Sequence, residues 1–213
     1  MNTKIAVIAG AVAAAYLAPG IASASFVLDT GTPTGTGAPE VLSTAQFLAG
    51  EFAVTAGENI TELSAYLTQG AGQPGDTFTF DIYSGSGLIA RNASPVFSTT
   101  GTFTTNGWNS AAVNWTPTTT GDYWLALQVA STTDTKGLDA PTETSTSTGT
   151  APALAFAYST GGSAAYKSTS TGIGLEVTAA SPVPLPAGIW LLGSGVLGLG
   201  AMARRRRSGV QAA

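Results

Sequence analysis

The sequence predicts an all-β protein: an antiparallel β-sandwich, jelly-roll-like, between an N-terminal signal peptide and a single C-terminal transmembrane helix. Three observations carry this. Outside the two terminal segments no stretch repeats apolar residues every 3.6 positions, as an amphipathic helix would. Eight or nine short runs instead alternate apolar and polar residues, separated by Gly, Pro and Asn turns. Lastly, an uncharged run from Ile189 to Ala203 is followed at once by four arginines, Arg204, Arg205, Arg206 and Arg207.

At the N-terminus Lys4 supplies a positive charge and Ile5 to Leu17 an apolar run of about 13 residues. Pro19-Gly20 breaks any helix there, and Ala22-Ser23-Ala24 fits an A-x-A cleavage site before Ser25. The run is too short to be a second anchor. Residues 1–24 therefore read as a signal peptide, implying export through the Sec machinery and removal by signal peptidase. The twin-arginine route lacks its arginines.

The exported body, residues 25–181, is long enough to bury one core. Its first strand signal follows a Gly/Pro/Thr-rich lead: Leu48, Phe52 and Val54 recur at even spacing. After the turn Ala56-Gly57-Glu58-Asn59, Leu63, Ala65 and Leu67 alternate with Glu62, Ser64 and Tyr66. Phe78, Phe80 and Ile82 alternate with Thr77, Thr79 and Asp81, and Ser84 to Gly87 turns that strand into another from Leu88 to Arg91. Val96, Phe97 and Phe103 mark two weak strands broken at Thr100-Gly101, and Asn106 to Asn109 reads as a turn carrying Trp108. Val113 and Trp115 share a face, as do Tyr123, Leu125, Leu127 and Val129. Ser131 to Thr150 reads as a Ser/Thr-rich loop, with O-glycosylation open over Thr142 to Thr150. Leu154, Phe156 and Tyr158, then Ile173, Leu175 and Val177, supply the last strands.

Composition narrows the chemistry. Five of the eight basic residues lie in the terminal segments, so the body sets Arg91, Lys136 and Lys167 against all twelve acids, a net charge of −9. Such a surface repels polyanions, which excludes nucleic acid as a partner. The absence of cysteine removes disulfides and thiolate chemistry, and the absence of histidine removes Ser-His-Asp triads and histidine metal sites. A carboxylate-pair hydrolase survives that cut. Its candidates, Asp76 with Asp81 or Glu58 with Glu62, sit in turns or on the polar phase of strands and read as solvent-facing, so no catalytic residue is assigned. No cofactor is expected. The one metal candidate is calcium at Asp134 and Asp139, which flank Gly137 in a loop; Lys136 opposes it, and a solvated acidic loop is the reading favoured over it. A sugar platform is the remaining ligand reading. Trp124 and Tyr66 fall opposite the aliphatic side of their strands and Trp108 falls in the turn, so the three could line an exposed surface for stacking. Burial of Trp124 or Trp108 over the ends of the sandwich is the alternative. Trp115, in phase with Val113, belongs to the core.

The C-terminal segment spans residues 182–207. Val183 to Ala203 is about 21 residues, close to what a hydrocarbon core of roughly 30 Å requires. Trp190 suits the outer interface, and the arginines stay cytoplasmic by the positive-inside rule, leaving residues 208–213 as a cytoplasmic tail. One reading is an ordinary anchor. The ordered combination of Val183-Pro184-Leu185-Pro186-Ala187, a Gly-rich apolar helix and an arginine cluster resembles the PEP-CTERM sorting signal of Gram-negative bacteria, in its Val-Pro-Leu-Pro-Ala variant. Leu185 stands where the glutamate of the name usually sits. The resemblance covers about the last 27 residues. It implies recognition by an exosortase, a membrane protease that removes such tails. More loosely, the strand motifs resemble the β-sandwich ectodomains found ahead of such signals. Together these imply an exported, non-enzymatic cell-surface or biofilm-matrix protein, first anchored in the inner membrane and then processed to the surface or exterior. The alternative is a carbohydrate-binding module that recognises exopolysaccharide.

Overall fold

The computed structural model describes residues 24–35, 37–43, 46–129, 137–144, 148–160 and 165–180. They belong to one unit, Ser23–Ser181; the other, Met1–Ala22 with Pro182–Ala213, lies outside the described residues. So do Ala22 of the cleavage site, Asp134, the Val183–Ala187 motif, Trp190 and Arg204 to Arg207. Ala24 is described and exposed.

Among the described residues all regular structure is strand. The strands are β1 (Ser25–Asp29), β2 (Glu40–Leu42), β3 (Phe47–Val54), β4 (Ile60–Leu67), β5 (Thr77–Ser84), β6 (Phe97–Thr102) and β7 (Gly107–Trp115). They continue with β8 (Gly121–Val129), β9 (Leu138–Ala140), β10 (Thr142–Thr144), β11 (Phe156–Ser159), β12 (Lys167–Thr169), β13 (Thr171–Ile173) and β14 (Leu175–Ala179). Four form a sheet in the order β1-β14-β4-β7 and six another, β12-β11-β3-β8-β5-β6; β2-β9 and β10-β13 are two-stranded ribbons. Every pairing is antiparallel. The fold is all-β, consistent with a β-sandwich.

The alternation in the sequence places the core. Leu63, Ala65 and Leu67 of β4, with Leu175 and Val177 of β14, pack in one buried cluster with Phe52 and Val54 of β3, Phe78, Phe80 and Ile82 of β5, and Leu125 and Leu127 of β8. One aliphatic face from each large sheet thus meets the other, and side-chain period two makes the odd or even positions of a strand share a fate. Trp115 packs against this core, edge-on to Tyr123 at 5.5 Å. Thr30 stitches the ladder where β13 gives way to β14: its buried hydroxyl donates to Ile173 O and accepts from Leu175 N.

Several expectations about elements are corrected. Leu88 to Arg91 is not a strand; Ile89 folds back and is buried. β6 runs unbroken through Thr100-Gly101, because Gly101 lies so close to Phe78 that a Cβ would stand 2.5 Å from its ring. A glycine that looked like a breaker is a packing contact. Phe103 follows the strand and is buried, while Leu154 lies outside β11 and is exposed. Trp108 lies within β7, not in a turn. Asn109 explains this: buried, it accepts from Thr104 N and donates to Thr105 O and Gly107 O, so it holds the tight connection that precedes it. The stretch Ser131 to Thr150 contains β9 and β10.

Candidate functional site

The polar and aromatic residues gather on the two outer faces, and the two faces differ. On the six-stranded sheet, strand register sets Glu51, Trp124 and Tyr83 side by side across β3, β8 and β5. The next row is Ala157, Ala49, Ala126, Asp81 and Ser98. The alanines make a shallow floor, and Ile89 and Tyr166, brought in from outside the strands, pack with Trp124 and Tyr83 over it. A bond from Tyr166 N to Ile89 O, 3.0 Å long, joins these two covering segments. Gln128 Nε2 donates to both Tyr83 Oη, at 2.9 Å, and Tyr166 Oη, at 3.1 Å.

Burial governs the electrostatics here. It pushes both phenols above their ordinary range, and the amide hydrogen bonds only partly offset this. Burial also raises the Asp81 carboxyl, against the pull of Ser98, and raises Glu51, which the charge of Asp122 raises further. Contrary to the solvent-facing position its phase in the sequence predicts, Asp81 is buried, because this polar phase of β5 has its own cover. Trp124 is 2% exposed, so it belongs to no open platform, and its Nε1 finds no hydrogen-bond partner among the described residues. The opposite-phase reading of Trp124 identified its face; the covering segments have no periodic signal to reveal them.

On the four-stranded sheet the outer face is covered where Asp29 and Ser64 are buried and partly open at Tyr66, Trp108 and Ser110. Tyr66 and Trp108 are direct cross-strand partners, half-buried, their rings 5.6 Å apart and inclined at 85°. That edge-to-face packing presents at most one ring at a time to a flat ligand. Trp108 Nε1 reaches Thr32 Oγ1 at 3.4 Å, and Tyr66 and Pro33 both crowd Gly174, where a Cβ would stand within 3 Å of each. The neighbouring row is Asp29, Glu176, Ser64 and Ser110. Glu62 lies two residues along β4 and accepts from the Ser64 hydroxyl at 3.2 Å. Burial raises the Glu176 carboxyl, and the Asp29 and Glu62 charges raise it further, to about 7. For Asp29 burial acts upward too, but hydrogen bonds from Thr150 and Gly31 prevail and lower it.

The other candidates separate. Glu58 and Asp76 do turn work, accepting from Thr55 N and Gln73 N. Asp139 sits in β9, not in a loop, and its partner Asp134 lies outside the described residues. Among the described residues no three His, Cys, Asp or Glu side chains are placed to hold a metal. Two cavities lie among the described residues of this unit. One of about 250 Å³ has Leu48, Phe156, Tyr158 and Ile173 as apolar wall and the bonded pair Gln46 and Glu40 as polar lining. The other, about 390 Å³, lies among Ser84, Thr119, Thr120 and Asp122. Neither is lined by Tyr66, Trp108 or Trp124. In comparisons with known proteins, no family model matches the chain and no curated protein is significantly similar to it.

Proposed function

We propose that the chain is an exported, non-enzymatic protein of the cell surface or extracellular matrix, delivered by an exosortase-type sorting system. The observation that carries this is the ordered tail: Val183-Pro184-Leu185-Pro186-Ala187, an uncharged Gly-rich run, then Arg204 to Arg207. The cleavable leader ending at Ala24 supports it, since an exported chain with a retained tail is the substrate such a system needs. The domain between them is of jelly-roll type in this reading. Strand order supports that: taking β1, β3, β4, β5, β6, β7, β8 and β14 as eight strands, first pairs with eighth, second with seventh, third with sixth and fourth with fifth. Rolling one long antiparallel hairpin yields that order.

Intact-mass measurement of the protein from its own cells, in membrane and secreted fractions, tests the sorting. A product ending near Pro186 that disappears when the sorting protease is deleted is the expected result. A full-length mass that keeps Arg204 to Arg207 in both strains leaves an ordinary anchored ectodomain.

A second reading, carbohydrate recognition, is favoured by one observation. Tyr66 and Trp108 leave part of their rings accessible next to the Glu176 carboxyl, which could accept a hydrogen bond from a hydroxyl. Titration with the exopolysaccharide should then change tryptophan fluorescence, and Trp108→Ala should abolish the change. An unchanged titration curve in that variant excludes this face.

A further inference from the structure

Between Arg91 and Asp122 the chain contains no Asp, Glu, Lys or Arg at all. The fold places both β6 and β7 inside that stretch, and each is the last strand of its sheet. They approach each other through the Phe97–Trp115 ring contact, so the two uncharged edges lie on one side of the domain. The opposite edges are guarded. β12 has three residues and begins with the exposed Lys167; β1 has five, a register shift between Phe26 and Leu28, and its end at Asp29 already bridged to Ala151. Short length, a charge or a bulge are the usual protections of an open edge, and β6 has none of them. Its segment Val96–Thr102 is rich in β-branched residues, lacks proline and starts with Val96, which is 49% exposed. Such a segment pairs readily with its own kind.

We infer that β6 is a self-association edge, pairing antiparallel with β6 of a second copy of this chain about a two-fold axis. The composition of Val96–Thr102 selects that partner, and charge locates the contact. The exported body carries −9, so like-charge repulsion opposes contact between copies over its acidic surfaces, and the uncharged β6–β7 side is where it is least. A two-fold arrangement uses the same edge on both copies and closes on itself, giving a dimer with one continuous sheet across it.

The absence of cysteine makes a clean test possible. Thr100 of β6 and Ser168 of β12 are both exposed. Full-length chains carrying Thr100→Cys or Ser168→Cys are treated in the membrane fraction with a short bis-maleimide and run under denaturing conditions. Doubling of the apparent mass for Thr100→Cys, absent for Ser168→Cys and suppressed when Thr102→Glu is added to Thr100→Cys, is the expected outcome. Protease resistance equal to that of the parent chain shows that the variants fold. A Thr100→Cys chain that stays at single mass overturns the inference, as does equal cross-linking at both positions. Capture of a partner of different mass in place of doubling overturns it in favour of another occupant of the same edge.

Discussion

The outer faces of the two sheets draw on the same side-chain vocabulary and arrive at opposite results. Each carries a tryptophan, a tyrosine and carboxylates on strand positions facing away from the shared core. On the four-stranded sheet Trp108 and Tyr66 remain partly exposed. On the six-stranded sheet Trp124 and Tyr83 lie under Ile89 and Tyr166, and Asp81 goes under with them. The difference arises from what the connections do, not from the strands. A strand's polar phase is a surface only when no other segment settles on it, and the alanine row of Ala49, Ala126 and Ala157 leaves the room that lets one settle.

Truncation should separate the faces most sharply at the tryptophans. Trp124→Ala should cost about 3–5 kcal/mol, since it removes a fully buried ring and leaves a cavity. A large fall in the urea midpoint would register it; a change near zero would mean that the face is open in solution. Next in size is Gln128→Leu. It strips two buried phenols of their common donor, with a loss of about 1–3 kcal/mol in the same denaturation experiment. Trp108→Ala should cost only about 0.5–1.5 kcal/mol, chiefly the edge-to-face pairing with Tyr66. A loss matching that of Trp124→Ala would erase the distinction.

The smallest effect is a pH dependence. Glu176 has a folded pKa of about 7, above the ordinary 4.5, so between these values the folded state keeps a proton that the unfolded chain has released. Stability contributed by this group therefore falls as pH rises from about 4.5 to 7 and stays low above that. Asp29 works the other way: its lowered carboxyl stabilises above the ordinary 3.8 and loses that contribution on acidification. Glu176→Gln should flatten the upper slope, by less than about 1 kcal/mol because solvent screens this partly exposed group. Thermal melting of both proteins across pH 4 to 8 would reveal it, and identical slopes would remove Glu176 as the cause.

Where a strand alternates cleanly its fate was legible from sequence. Phe78, Phe80 and Ile82, or Leu63, Ala65 and Leu67, announce an inner face because each side chain obeys the two-residue period. Misreadings fell where a local signal had a non-local cause. Gly101 suggests a break, yet it is dictated by Phe78 on the adjoining strand. Asn106-Gly107 suggests a turn that includes Trp108, yet the Asn109 side chain ends the turn before it. On the outer faces, phase gave the side of Tyr66 and Trp124 correctly, but exposure depends on Ile89 and Tyr166, far from Trp124 in sequence. Nothing in the spacing of those two residues points to where they land.

The position of β14 carries one more consequence. It is the last strand of the domain to be made, and it sits between β1, the first, and β4, pairing with both. A chain that emerges N-terminus first must therefore hold β1 without its neighbour until Ala179 has cleared, and although β4 and β7 can pair before then, the four-stranded sheet is completed only in a late step. Closing so long a loop makes that step slow. Until it happens, Leu63, Ala65 and Leu67 lack the partner strand that covers one side of them, and a truncation that removes Leu175–Ala179 would leave β1 unlinked to the β4–β7 pair.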